Sequence, residues 1–277
     1  MDKSPTHVAH AEAGKQGDVN ALSVLSSDGV RIALERTGMS PTALVFVHGW
    51  LGSSRWWDAQ RDAFSQSLTV VQLDLAGHGA SGRERTKHSA EGYADDIVSV
   101  VTALDVERVV LVGHSMSGAF ATLAAVRLPR VVALVLVDTL QNVEQTMPRA
   151  QVDEMLALYR HDFRTAVEQV LPRWLFAPGT PPEVAAALQR EFLQRTGSDG
   201  ASLVEPLYSF DVRPAAEQLK IPVRAINSGL QPTDVEVNRR YFRNYAMRTV
   251  SRVGHYPMLE VPEVFNAVLS ETLKELG

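Results

Sequence analysis

The stretch Val109–Ala119 reads VVLVGHSMSGA. An apolar, valine-rich run enters Gly113-His114-Ser115-Met116-Ser117-Gly118, and an alanine-rich run follows. That change of pattern spells a buried strand, a sharp turn and a helix. A serine on such a turn has a strained backbone and a hydroxyl raised above the sheet. The residues two before and two after it must be small, so that the flanking backbones can approach. Gly113 meets that demand. Ser117 replaces the usual second glycine of G-x-S-x-G but is still small, and Gly118 follows at once. Taken alone, the segment fits a reactive serine and an unreactive surface serine equally well.

Outward from this turn, short β-rich runs alternate with longer helical patterns, the rhythm of a parallel sheet covered by helices. Ala21–Ser26 and Val30–Arg36 flank Asp28-Gly29, a hairpin signal. Ala43–His48 is a continuous apolar run, as a strand buried on both faces requires. A helix over Ser54–Ser65 and a strand over Leu68–Leu73 follow. Ser89–Leu104 carries Tyr93, Ile97, Val100, Val101 and Leu104 at helical spacing. After the strand Arg108–Gly113 come the helix Ser117–Leu128 and the strand Val131–Asp138. From Gln141 to about Val212 no strand pattern occurs, only helical patches broken by prolines. Alternation resumes with strands over Ile221–Ile226 and Met247–Arg252 and helices over Val235–Tyr245 and Pro262–Leu276. The reading is one α/β core, residues 21–140 and 213–277, interrupted by a helical cap over residues 141–212.

The 277 residues, 45% apolar and 21% charged, are ordinary for a soluble globular chain. Lys and Arg total 27 against 32 Asp and Glu, a net charge of −5. This lacks the basic footprint of a nucleic-acid binder. The absence of cysteine excludes a disulfide framework, a cysteine nucleophile and a thiolate metal site. Val131–Val137, the longest apolar run, is far too short to span a bilayer. The first 20 residues contain no signal-peptide apolar region and read as a mobile tail of a cytoplasmic protein.

Three further motifs frame the serine turn: His48-Gly49-Trp50 after a core strand, Asp74-Leu75-Ala76-Gly77-His78-Gly79-Ala80-Ser81-Gly82, and Gly254-His255-Tyr256-Pro257 before the last helix. With these four landmarks in this order, the sequence resembles the α/β-hydrolase fold family, from about Leu22 to the C-terminus and least in the middle insertion. The resemblance implies a mostly parallel central sheet flanked by helices, with Ser115 as nucleophile and His255 as its general base. A free serine hydroxyl is a weak nucleophile and needs an imidazole to take its proton. The backbone N–H groups of Trp50 and Met116 are the implied oxyanion hole.

The third member has two candidates. Many relatives carry the acid after the strand corresponding to Ile221–Ile226, where this chain reads IPVRAINSGLQPTD and places Gln231 at the matching position. Asp234 lies three residues downstream; Asp138 ends the preceding strand. Both keep the order Ser…Asp…His. Asp138 is preferred, because a strand end is a rigid mount on the same edge as Ser115, whereas Asp234 also suits a helix N-cap.

Gly77–Gly82 matches G-x-G-x-x-G, but RERTKHS follows where a dinucleotide site needs a helix, so no cofactor is expected. No metal is expected either, since no His/carboxylate cluster has ligand spacing. Asp74, His48 and His78 read as loop-organising residues. Met147, Met155 and Trp174 of the cap are candidate pocket residues. The resulting expectation is a monomeric or homodimeric serine hydrolase, free of membrane insertion, acting on small hydrophobic carboxylic esters through an acyl-enzyme. A lactonase, C–C bond hydrolase or cofactor-free haloperoxidase/perhydrolase would present the same triad. A ligand receptor resembling the plant karrikin and strigolactone receptors would share the scaffold.

Overall fold

A computed structural model describes residues 19–277, so the expected tail falls almost wholly outside the described residues. Eight strands build one sheet: β1 (Asn20–Leu25), β2 (Arg31–Thr37), β3 (Thr42–Val47), β4 (Thr69–Leu73), β5 (Arg108–His114), β6 (Val131–Val137), β7 (Val223–Asn227) and β8 (Tyr245–Thr249). Their spatial order is β1-β2-β4-β3-β5-β6-β7-β8. β1 and β2 form the expected hairpin, and β2 is also antiparallel to β4. All remaining neighbours are parallel.

Period-two alternation explains the two cores. In β3, Ala43, Val45 and Val47 enter the apolar cluster on one face. Leu44 and Phe46 enter the cluster on the other. The helix Ala90–Ala103 covers the first face with Tyr93, Ile97, Val100 and Val101, all fully buried. Ser89 caps it, its hydroxyl accepting the Gly92 N–H at 3.0 Å. The second face is covered by Trp57, stacked on Phe46 with ring centroids 4.8 Å apart, and by Phe265 and Leu269 of the helix Pro262–Leu276.

Two elements differ from the sequence reading. Residues 54–64 form a 3-10 turn, Ser54–Trp57, before the helix Asp58–Phe64. The last strand starts at Tyr245, because the preceding helix stops at Tyr241 and frees Tyr245 to pair with Val223. Between β6 and β7 every regular element is helical, the longer ones being Arg149–His161, Pro182–Phe192 and Gly197–Ser209. Among the described residues no helix is long and apolar enough to cross a membrane.

Candidate active site

β5 ends at His114 and the helix Met116–Val126 begins two residues later. Ser115 bridges them at φ 54° and ψ −125°, a conformation that costs a non-glycine residue on the order of 1–3 kcal/mol. The surroundings hold it there. Its N–H donates to the Val137 carbonyl at 3.0 Å, and its carbonyl accepts from the Thr139 hydroxyl at 2.7 Å. A Cβ on Gly113 would stand 2.8 Å from the Ser117 carbonyl oxygen, which shows why that position is glycine. The side chain of Ser115 thus stands at a helix N-terminus, where the macrodipole favours negative charge.

The Ser115 hydroxyl donates to Nε2 of His255 at 2.8 Å, and Nδ1–H of His255 donates to Oδ2 of Asp138 at 2.6 Å. Asp138 closes β6 with φ 44° and only 3% exposure. Its other oxygen accepts the Ser228 N–H at 2.7 Å. Burial raises its carboxyl, but the hydrogen bond and charge of His255, with the Ser228 N–H, outweigh burial and hold it below the usual carboxylate range. Asp234 does otherwise: Oδ1 accepts the Val237 N–H at 3.0 Å and caps the helix Val235–Tyr241.

The loop after β3 approaches from the other side. Nδ1–H of His48 donates to the Gly49 carbonyl at 2.7 Å, and Nε2 accepts the Leu75 N–H at 3.2 Å, which fixes the tautomer. Gly52 N–H donates to the same Gly49 oxygen at 3.2 Å. In a trans peptide the following N–H, that of Trp50, points away from this carbonyl. It has no acceptor among the described residues. The Met116 N–H opens its helix and has no intrahelical acceptor. A Cβ on Gly49 would stand 3.0 Å from Cβ of Ser115 and 2.6 Å from Nδ1 of His114, so only glycine lets this loop come so near.

His114 lies beneath the site. Burial, and then the charge of His255, push its imidazole down to about 3. It is neutral at physiological pH, and its Nε2–H donates to the His255 carbonyl at 2.8 Å. The Ser117 hydroxyl donates a short hydrogen bond to the His48 carbonyl. Sequence reading missed that role; the unusual serine at the second glycine position was the signal that could have exposed it.

The Trp50 ring is held by the helical segment between β6 and β7. It stacks on Tyr159 with centroids 5.0 Å apart, and Nε1–H donates to the Gly200 carbonyl at 2.9 Å. Of the candidate pocket residues, Met155 is half-buried against the second apolar cluster. Met147 and Trp174 expose 42% and 63% of their surface. Among the described residues, none of the three makes a hydrogen bond or ring contact with Ser115 or His255. The Gly77–Gly82 loop wraps around Asp74, which accepts N–H bonds from Ser54 and Ala80 at 2.5 and 2.7 Å; the next helix opens only at Ala90. No cluster of three metal-ligating side chains occurs among the described residues.

The chain is 28% identical to the pimeloyl-[acyl-carrier protein] methyl ester esterase of Nitrosomonas europaea, over 84% of this chain and 96% of that one. It is 24% identical to 3-oxoadipate enol-lactonase 2 of Acinetobacter baylyi, over 85% of this chain and 90% of that protein. An uncharacterized protein of Mycobacterium tuberculosis matches at 36% over 104 residues; that stretch is 38% of this chain and 30% of the relative. An esterase structure from Exiguobacterium antarcticum superposes with a TM-score of 0.81 at 20% identity, covering 91% of this chain and 98% of that one. At that identity the likeness shows the fold. The family model of the alpha/beta hydrolases matches residues 44–268, from β3 into the last helix. By the extent of that match, the chain belongs to the alpha/beta hydrolase family.

Proposed function

We propose that this protein is a serine hydrolase that cleaves carboxylic esters, lactones among them, of small hydrophobic compounds. The observation that carries the reading is the unbroken line of hydrogen bonds Ser115–His255–Asp138. Ser115 attacks the carbonyl carbon while His255 Nε2 takes its proton; Asp138 stabilises the imidazolium and holds the proton on Nδ1. The Trp50 and Met116 N–H groups receive the negative charge on the carbonyl oxygen, each donor worth about 10²–10³ in rate. The tetrahedral intermediate collapses to an acyl-Ser115 as His255 protonates the leaving alcohol. Water, deprotonated by the same imidazole, then releases the acid.

Residues 141–212 act in this reading as a cap. The Trp50–Tyr159 stack and the Trp50–Gly200 hydrogen bond support that role by joining the oxyanion loop to it. Met155, Met147 and Trp174 are the candidate residues of the acyl pocket. The names of the esterase and enol-lactonase relatives support ester and lactone substrates. The test is turnover of a p-nitrophenyl ester series and a γ-lactone by wild type and Ser115→Ala. Wild type should turn over many times per molecule, and Ser115→Ala should lose at least three orders of magnitude. Intact turnover in Ser115→Ala, or a single turnover in wild type, overturns the reading.

A further inference from the structure

His255 is held from outside the triad by a carboxylate with no part in the proton relay. Glu260 ends the short helix Pro257–Glu260 and is buried. Its Oε2 accepts the Gly254 N–H at 2.7 Å, and its Oε1 accepts the Tyr256 N–H at 3.1 Å. Gly254 and Tyr256 are the two neighbours of His255, so one carboxylate grips the chain on both sides of the base. A third bond reaches Glu260 from the helical insertion: the Thr180 hydroxyl donates to Oε2 at 2.6 Å. Thr180 is oriented for this, since its oxygen accepts the Ala177 N–H at 2.9 Å and its proton is left to donate. The His255 N–H, between the two gripped neighbours, donates to the Leu175 carbonyl at 2.7 Å.

All three partners of Glu260 are donors, as an ionised carboxylate requires. No cation pairs with it among the described residues, so backbone and hydroxyl donors alone compensate a buried charge. Packing would be served equally by an apolar side chain of similar size. A buried anion spent on two peptides that flank the base indicates control of orientation.

We propose that Glu260 is a positioning residue for His255, and that Thr180 and Leu175 make that positioning depend on the docking of residues 172–180. The inference rests on the serine-hydrolase reading above. With the segment docked, Leu175 and Thr180 complete the set of bonds and the imidazole lies between Ser115 and Asp138. With the segment displaced, the His255 N–H loses its acceptor and Glu260 loses its hydroxyl donor. The loop then gains freedom about the very residue that must stay aligned. A misplacement of about 1 Å is enough to cost on the order of 10² in rate.

Thr180→Val is the main test, because it removes one hydroxyl and keeps the shape. Thr180→Ser restores the hydroxyl, and Glu260→Gln is the stronger lesion, since an amide donor would face a donor. For p-nitrophenyl butyrate, Thr180→Val should lower kcat about tenfold with KM within twofold, and labelling of Ser115 by a fluorophosphonate should slow by the same factor. Thr180→Ser should recover most of both. The far-downfield proton resonance of His255 Nδ1–H should broaden or vanish in Thr180→Val and return in Thr180→Ser. An unchanged resonance and labelling rate in Glu260→Gln overturns the positioning role, and the same result in Thr180→Val, even with a lowered Tm, overturns its dependence on residues 172–180. Wild type that neither turns over esters nor takes the fluorophosphonate overturns the serine-hydrolase reading instead, and the resonance still decides the positioning role of Glu260.

Discussion

The carboxylate of Asp138 meets Nδ1 of His255 at 2.6 Å while its second oxygen is held by the Ser228 N–H at 2.7 Å. Asp138 is thus fixed at the end of β6 and braced by the end of β7, two parallel neighbours in the sheet. Asp234 spends its oxygen on a helix N-terminus instead. Asp138→Asn should therefore lower kcat by about 10³–10⁴, because an amide donor faces Nδ1 and turns the imidazole to the wrong tautomer. Asp234→Asn should keep turnover, with stability changing by no more than about 1 kcal/mol. Steady-state kinetics on both variants decides the matter. A collapse of kcat in Asp234→Asn with mild loss in Asp138→Asn would reverse the assignment.

The Ser117 hydroxyl ties the helix Met116–Val126 to the His48 carbonyl, one peptide before the one that carries the Trp50 N–H. Ser117→Gly would restore the commoner motif and cut the tether. We expect kcat to fall about tenfold with KM little changed, part of the 10²–10³ that one oxyanion donor is worth. Stability should drop by about 1 kcal/mol for the lost buried hydrogen bond. A wild-type kcat in Ser117→Gly would remove the hydroxyl from any part in catalysis.

Much of this was legible in the sequence because local chemistry imposed it. Val109–Ala119 carries the pattern of strand, tight turn and helix in its own residues, and the run at 43–48 that of a doubly buried strand. Other features depend on neighbours in space. Asp138 and Asp234 satisfy chain order equally, and only the pairing of β6 with β7 brings Asp138 under His255. Tyr245 suits a helix end or a strand start, so the boundary near it was misplaced. Pro206 reads as punctuation yet sits inside the helix Gly197–Ser209. The Trp50 side chain has a partner 150 residues away at Gly200, which no local pattern records.

Gly49 sits where the loop after β3 presses on Ser115. In Gly49→Ala the added methyl would meet Nδ1 of His114 at 2.6 Å and Cβ of Ser115 at 3.0 Å. His114 is fully buried and cannot yield, so the loop must lift and carry the Trp50 N–H with it. The loss in kcat should reach at least 10²-fold, matching removal of one donor. Far-ultraviolet circular dichroism should show the fold retained. Activity within threefold of wild type would place the donor elsewhere.

Four imidazoles set the acid limit of the fold: the half-buried His88, which burial pushes down to about 4, and three that are wholly buried. His48, His78 and His114 are fully exposed to no solvent at all, and burial, the leading cause in each, pushes all three down, His114 to about 3. Unfolded, each would titrate near 6.5. Above that pH neither state is protonated and the four contribute nothing to pH dependence. Below it the unfolded chain takes up protons that the native state refuses, so stability falls as pH falls toward the folded values. An imidazole that the native state keeps neutral contributes up to about 1.4 kcal/mol per pH unit, so the four together give at most about 5. Against a total stability of about 5–15 kcal/mol, urea midpoints should decline steeply between about pH 6 and 4.5. In His78→Asn the amide can still donate toward the Ala76 carbonyl, which His78 Nδ1 faces at 3.1 Å, and one proton site is gone. Whatever its stability at pH 7, its slope should be shallower than that of wild type by up to about 1.4 kcal/mol per pH unit. An identical slope would mean that His78 is not held neutral by the fold.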